Sequence, residues 1–179
     1  MTETLLQGLP AQVKADCRVL VLGSMPGAAS LQAARYYAHP RNRFWPLMGA
    51  LCRFDPQLDY PQRLVLLQQA GIGVWDVIGQ CRRRGSLDAD IVRGSERPNP
   101  VAELVARLPQ LAAITCNGAL AMQAFKRHVQ PALPAGMRGL QVLALPSTSP
   151  ANAAWSLPRL ALEWGQLSCW LQPPRQAGS

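Results

Sequence analysis

Four short runs of aliphatic and β-branched residues are separated by stretches with helical spacing, and this alternation limits the chain to few folds. The runs are residues 18–22 (RVLVL), 72–77 (IGVWDV), 111–116 (LAAITC) and 140–145 (LQVLAL). Each is apolar on successive residues, as strands buried on both faces are. Between them, residues 60–70 stop at Gly71, residues 100–108 open on Pro100 and stop before Pro109, and residues 118–129 are amphipathic. In residues 157–171, Leu157, Leu160, Ala161, Trp164, Leu167 and Leu171 recur on one helical face. Strands alternating with helices predict an α/β protein: a three-layer α/β/α arrangement around a central, four-stranded, mostly parallel sheet.

At 179 residues, this reads as a single domain with an ordinary core. Residues 1–15 read as an N-terminal helix or extension and residues 173–179 as a disordered tail. Residues 79–99, charged and bearing Gly85, Gly94 and Pro98, read as an insertion or surface loop with a short helix near 87–92. No apolar run approaches the ~18 residues that span a bilayer. The first residues lack a basic stretch followed by an apolar one, so no membrane association and a cytoplasmic location are expected.

The net charge is +8, and of 18 basic residues only Lys14 and Lys126 are lysines. Such a balance favours a polyanionic partner, nucleic acid first. The run Arg82-Arg83-Arg84 adds to this, although such runs are often solvated loops. Five cysteines, odd in number and never close in sequence, predict neither a disulfide framework, nor a metal site, nor an iron–sulfur cluster. Two histidines are too few for a histidine-based metal site. No cofactor is expected.

Two loops carry candidate chemistry. Parallel sheets gather their ligand loops at the carboxyl edge, so segments far apart in the chain are expected to share a pocket. Residues 23–27 (Gly-Ser-Met-Pro-Gly) follow the first strand. They match neither a dinucleotide fingerprint nor a phosphate-binding P-loop, and they read as a tight turn with exposed N–H groups. Residues 36–45 (YYAHPRNRFW) place two tyrosines, an amide and two arginines together, a combination suited to a nucleobase and its phosphate. Phe44 and Trp45 read as core residues of the next helix; Tyr37 and Asn42 read as functional. Residues 145–152 (LPSTSPAN) read as a helix start, with Ser149 as N-cap and Pro150 after it, where spare N–H groups bind phosphate.

Together these segments, with GVWDVI and the Cys-Asn-Gly after the third strand, resemble the uracil-DNA glycosylase superfamily. Within it the chain is most similar to the hypoxanthine (deoxyinosine) DNA glycosylase branch, and the resemblance spans residues 19–164. It implies a monofunctional glycosylase acting on double-stranded DNA that holds a deaminated base. The backbone of Ser24, Met25 and Gly27 would face the extruded base, with Tyr37 stacking on it and Asn117 reading its edge. Asn42 would position the attacking water or contact the base. Ser147, Thr148 and Ser149 would grip phosphates, and Ala151 and Asn152 would lie at the tip entering the duplex. Many members carry Asp or Asn where this chain has Met25, so the resemblance moves that role to Asn42. Asp76 is the one carboxylate at a strand's carboxyl end; it is expected to be a structural hydrogen-bonding residue, with a part in the chemistry as the other reading. A uracil or thymine mismatch glycosylase, and a non-catalytic nucleic-acid-binding module of this fold, are the alternatives. A monomer is expected.

Overall fold

The computed structural model describes residues 3–137 and 139–174. Four strands, β2 (Val19–Gly23), β3 (Ile72–Asp76), β6 (Ala113–Asn117) and β7 (Gln141–Leu145), form a parallel sheet in the order β3-β2-β6-β7. These are the four apolar runs of the sequence, each within two residues of its expected bounds. Alternate β2 residues feed two cores. Val19 and Val21 face one layer, containing Phe44, Trp45, Leu67 and Trp164 from α2 (Phe44–Cys52), α3 (Tyr60–Gln69) and α6 (Leu157–Trp164). Leu20 and Leu22 face the other, containing Val101, Val105 and Phe125 from α4 (Val101–Val105) and α5 (Ala119–His128). The expected three-layer α/β/α arrangement is present.

Register decides what meets at the carboxyl edge. Gly23 pairs with Asp76, Leu22 with Cys116, and Asn117 with Leu145. The chain leaves β2 towards β3 on one side and later leaves β6 towards β7 on the other. The crevice between β2 and β6 is therefore the topological switch point, where such sheets bind ligands.

A second, antiparallel sheet was not expected. It joins β1 (Leu5–Gln7), β4 (Ile78–Arg82) and β5 (Arg97–Pro98) in the order β1-β4-β5. Of the segment expected as an N-terminal helix or extension, Leu5–Gln7 is a strand hydrogen-bonded to β4. Residues 79–99 are less loop-like than their charge suggests. They hold most of this small sheet and a 3-10 turn, Asp88–Asp90. Arg83, within the arginine run, is buried and donates to the Pro26 carbonyl at 2.8 Å, so it props the first loop from beneath. Arg84 pairs with Glu3 instead.

Two further expectations change. Ser149 does not cap a helix: Asn152 N–H donates to the Ser149 carbonyl, closing a turn, and α6 begins only at Leu157, capped by Ser156. The last helix tightens to 3-10 geometry over Gly165–Trp170, which keeps Leu167 buried while the Trp170 carbonyl receives Arg18 Nε at 2.6 Å. Of the expected disordered tail, residues 175–179 lie outside the described residues. Among the described residues no helix is long and apolar enough to cross a membrane, and no cluster suited to a metal ion occurs.

Candidate active site

The residues assigned to base or DNA contact in the loops, with Asn42 and Asn117, line one cleft of about 1200 Å³ at the carboxyl edge of the parallel sheet; Arg43 does not. That is ample for a base and part of its nucleotide. The convergence begins at the strand ends. A Cβ on Gly23 would collide with Asp76 Oδ1, so only glycine lets β2 close against that carboxyl. Gly118 has φ +98°, and a Cβ there would lie 2.9 Å from Ser147 Cβ. It brings the β6 and β7 loops together.

The segment after α1 (Ala28–Ala33) forms one wall. Tyr36 is buried and donates to the Pro10 carbonyl at 2.8 Å, so it is a structural residue. Tyr37 differs. Its φ is +54°, a left-handed conformation that costs an aromatic residue about 1–3 kcal/mol. Its ring stacks on Phe44 with centroids 3.9 Å apart, and its hydroxyl is buried near the Asn117 amide without a hydrogen bond of good geometry among the described residues. Asn42 Oδ1 accepts from Phe44 N–H at 2.9 Å, fixing the amide at the head of α2. Among the described residues its Nδ2 donates to no protein group, and one Oδ1 lone pair is left for a water.

Loop one has its own divisions. Ser24 Oγ donates to Asp88 at 2.5 Å. The Met25 side chain is buried against Ile78 and Cys81, so this residue offers only backbone to the cleft. Gly27 tolerates a Cβ as far as the chain's own atoms are concerned, since nothing lies closer to it than Ser86 Oγ at 3.6 Å.

The second loop is built differently from the expectation. Thr148 is fully buried. Its Oγ1 accepts from Asn117 Nδ2 and its N–H donates to Asn117 Oδ1, both at 3.0 Å. Thr148 therefore cannot grip a phosphate; it fastens the loop to β6. Asn117 is engaged at both ends of its amide by the same residue, so it positions the loop first, with one N–H and one lone pair left for a ligand. Asn152 Nδ2 holds the Ser147 carbonyl at 2.9 Å, and Ala151 is exposed at the tip.

Sequence reasoning missed Arg43 as an organiser. Its guanidinium donates to the carbonyls of Trp155, Ser149 (2.7 Å), Asn152 (3.0 Å) and Thr148 (3.4 Å), and its own N–H adds a bond to Thr148. It read as a cation for phosphate, yet it ties the two walls of the cleft. Asp76 also differs from its expectation. Its Oδ2 is buried with no hydrogen-bond partner among the described residues, so the expected side-chain bonding role is not seen there. Burial, with Asp88 nearby, pushes it up to about 7. Burial likewise pushes the core thiol of Cys116 up to about 12.

With this geometry in view, the comparisons are informative. The family described as the uracil DNA glycosylase superfamily matches residues 10–168. A hypoxanthine DNA glycosylase of Methanosarcina acetivorans is 35% identical over 159 residues, covering 88% of this chain and 94% of that protein. One from Methanosarcina barkeri is 36% identical over 113 residues, 63% of this chain and 70% of that protein. A solution NMR structure from Methanosarcina acetivorans, provisionally described as a uracil DNA glycosylase, superposes with a TM-score of 0.76 at 31% identity. It covers 92% of this chain and 97% of that one.

Proposed function

From the premise that this chain belongs to the uracil DNA glycosylase superfamily, we propose that it removes hypoxanthine from deoxyinosine in double-stranded DNA. The observation that carries the reading is the convergence of Tyr37, Asn42, Asn117 and the Ser147–Ser149 turn on one cleft. The two hypoxanthine DNA glycosylases at 35–36% identity support the choice of base.

A base inside a duplex cannot reach such a cleft, so the nucleotide must rotate out, at a cost of a few kcal/mol. Breaking the N-glycosidic bond builds positive charge on the sugar and negative charge on the base. Asn42 acts by position: with Oδ1 fixed by Phe44 N–H, it orients water on the sugar rather than deprotonating it. Backbone N–H groups of the Ser24–Gly27 turn face the departing base, and DNA phosphates stabilise the sugar cation. Ser147 and Ser149 remain available to flanking phosphates, whereas Thr148 is buried.

Base removal through a lysine Schiff base needs an amine at the sugar. Neither Lys14 nor Lys126 lines the cleft. The product is therefore an intact abasic site, and borohydride should trap no covalent adduct. The decisive experiment is an oligonucleotide panel carrying deoxyinosine, deoxyuridine, deoxyxanthosine or a G·T pair. Fastest release from deoxyinosine is expected; fastest release from deoxyuridine or G·T would favour a mismatch enzyme. Salt-dependent binding without cleavage of any lesion would favour a non-catalytic module.

A further inference from the structure

Asp76 ends β3 directly beside Gly23 and lines the cleft next to Tyr37, Ser24 and Asn117. Its side chain is almost completely buried, and Oδ2 has no hydrogen-bond partner among the described residues. Facing it, the Tyr37 hydroxyl is equally buried; the Asn117 amide lies near it, but it makes no hydrogen bond of good geometry among the described residues. Buried polar groups are normally paired, and an orphaned carboxyl in an otherwise well-bonded site calls for an explanation. The fold also leaves room for it deliberately, since any residue but glycine at position 23 would displace Oδ1. Two orphaned polar groups at the floor of one cleft are what a site shows when their partner is the ligand.

Resting on the deoxyinosine reading above, we propose that Asp76 is a catalytic residue: as a neutral carboxylic acid it hydrogen-bonds the extruded purine and donates its proton to N7 as the glycosidic bond breaks. N7 is the most basic ring nitrogen of hypoxanthine. The C1′–N9 electron pair leaves with the base while the proton of Asp76 reaches N7, so the base departs neutral. Water held at Asn42 adds its oxygen to C1′ and releases a proton to solvent. Asp76 regains its proton from solvent once hypoxanthine leaves. The sum is water plus deoxyinosine giving an abasic sugar and hypoxanthine, with no oxidant or reductant.

The surroundings favour the neutral form. From the 3-10 turn Asp88 adds a like charge, itself held by Ser24 and Arg83. From the loop after α1 come Tyr36 and Tyr37, both uncharged, their hydroxyls pushed well above the usual range by burial and by Asp76. His39, Arg41 and Glu163 line the same cleft, and none hydrogen-bonds to the carboxyl. Burial and Asp88 set its proton affinity near neutrality, and bound DNA phosphates raise it further.

The test is single-turnover release of hypoxanthine by the full chain from pH 5 to 9. Wild type is expected to slow about tenfold per pH unit on the alkaline side, above the affinity of Asp76 for its proton. Asp76→Asn should lose about 100-fold or more, show no such fall, and bind abasic-site DNA within about threefold of wild type. Wild type should bind 7-deaza-2′-deoxyinosine DNA but leave it uncut. A wild-type rate for Asp76→Asn, an unchanged alkaline fall in that variant, or ready cleavage of the 7-deaza substrate would each overturn the proposal. Should the variant fail to fold, the wild-type pH profile and the 7-deaza substrate still decide. Wild-type inactivity on deoxyinosine itself would instead overturn the reading on which this rests.

Discussion

On the proposed reading single residues carry the chemistry, and two at the cleft, Tyr37 and Asn42, are legible in the sequence because their neighbours form so specific a run. Asn42→Ala is expected to reduce base release by about 100-fold or more, with DNA affinity nearly unchanged. It also removes the acceptor for Phe44 N–H, so a loss of about 1 kcal/mol in stability should accompany it in denaturant titrations. Unchanged turnover would remove Asn42 from the mechanism. Gly23→Ala should be worse on both counts, because its new methyl must push Asp76 aside: about 1–3 kcal/mol of stability and most of the activity. Thr148 shows where reading a sequence stops. A hydroxyl among serines reads as a phosphate ligand. That it is buried depends on Asn117, 31 residues earlier, and no local pattern announces the pairing. Arg43 has the same lesson, since its carbonyl partners lie more than a hundred residues on.

At the scale of elements, hydrophobic runs mark the four parallel strands: β2, β3 and β6 are largely buried on both faces and so mostly apolar, while the edge strand β7 is apolar although largely exposed. They did not find β1, β4 and β5. β1 and β5 are short and largely exposed, and β4 mixes buried Ile78 and Cys81 with Gly79, Gln80 and Arg82, so no clear periodicity marks any of them. The turn at Ser149 escapes the sequence for a related reason: Ser-Pro suits a helix start and a tight turn equally, and only the Asn152 N–H bond decides. The second loop behaves as one unit through Thr148. Thr148→Val should strand the Asn117 amide and cost about 1–3 kcal/mol, measurable as a shifted urea midpoint. If Thr148 instead bound phosphate, the variant would keep its stability and lose affinity for undamaged duplex.

For the whole molecule, a carboxyl kept neutral by burial opposes stability at neutral pH. The unfolded chain would ionise Asp76 in the ordinary range near 3.8, and the folded one only at about 7. A group whose folded affinity for the proton is raised favours folding while protonated. Its contribution is complete below the unfolded value and is lost as pH rises through the folded one. The span corresponds to a few kcal/mol, of order 4 at most. Asp76→Asn should therefore be more stable than wild type at pH 8 and close to it at pH 4, as read by paired denaturation curves. Equal stabilities at pH 8 would show that the carboxyl ionises freely. Such an exchange of robustness for reactivity is common where a site holds an unfavourable group.

Arg43 gives the molecule one more property. Four of its five N–H groups rest on main-chain oxygens, none of them a carboxylate. A brace of neutral acceptors does not titrate and is little screened by electrolyte, whereas attraction to a polyanion is screened strongly. Raising potassium chloride should thus weaken capture of the duplex by orders of magnitude, yet leave the first-order cleavage step under saturating enzyme almost constant. The jaws keep their spacing whatever the ionic strength, and only the chance of finding something between them changes.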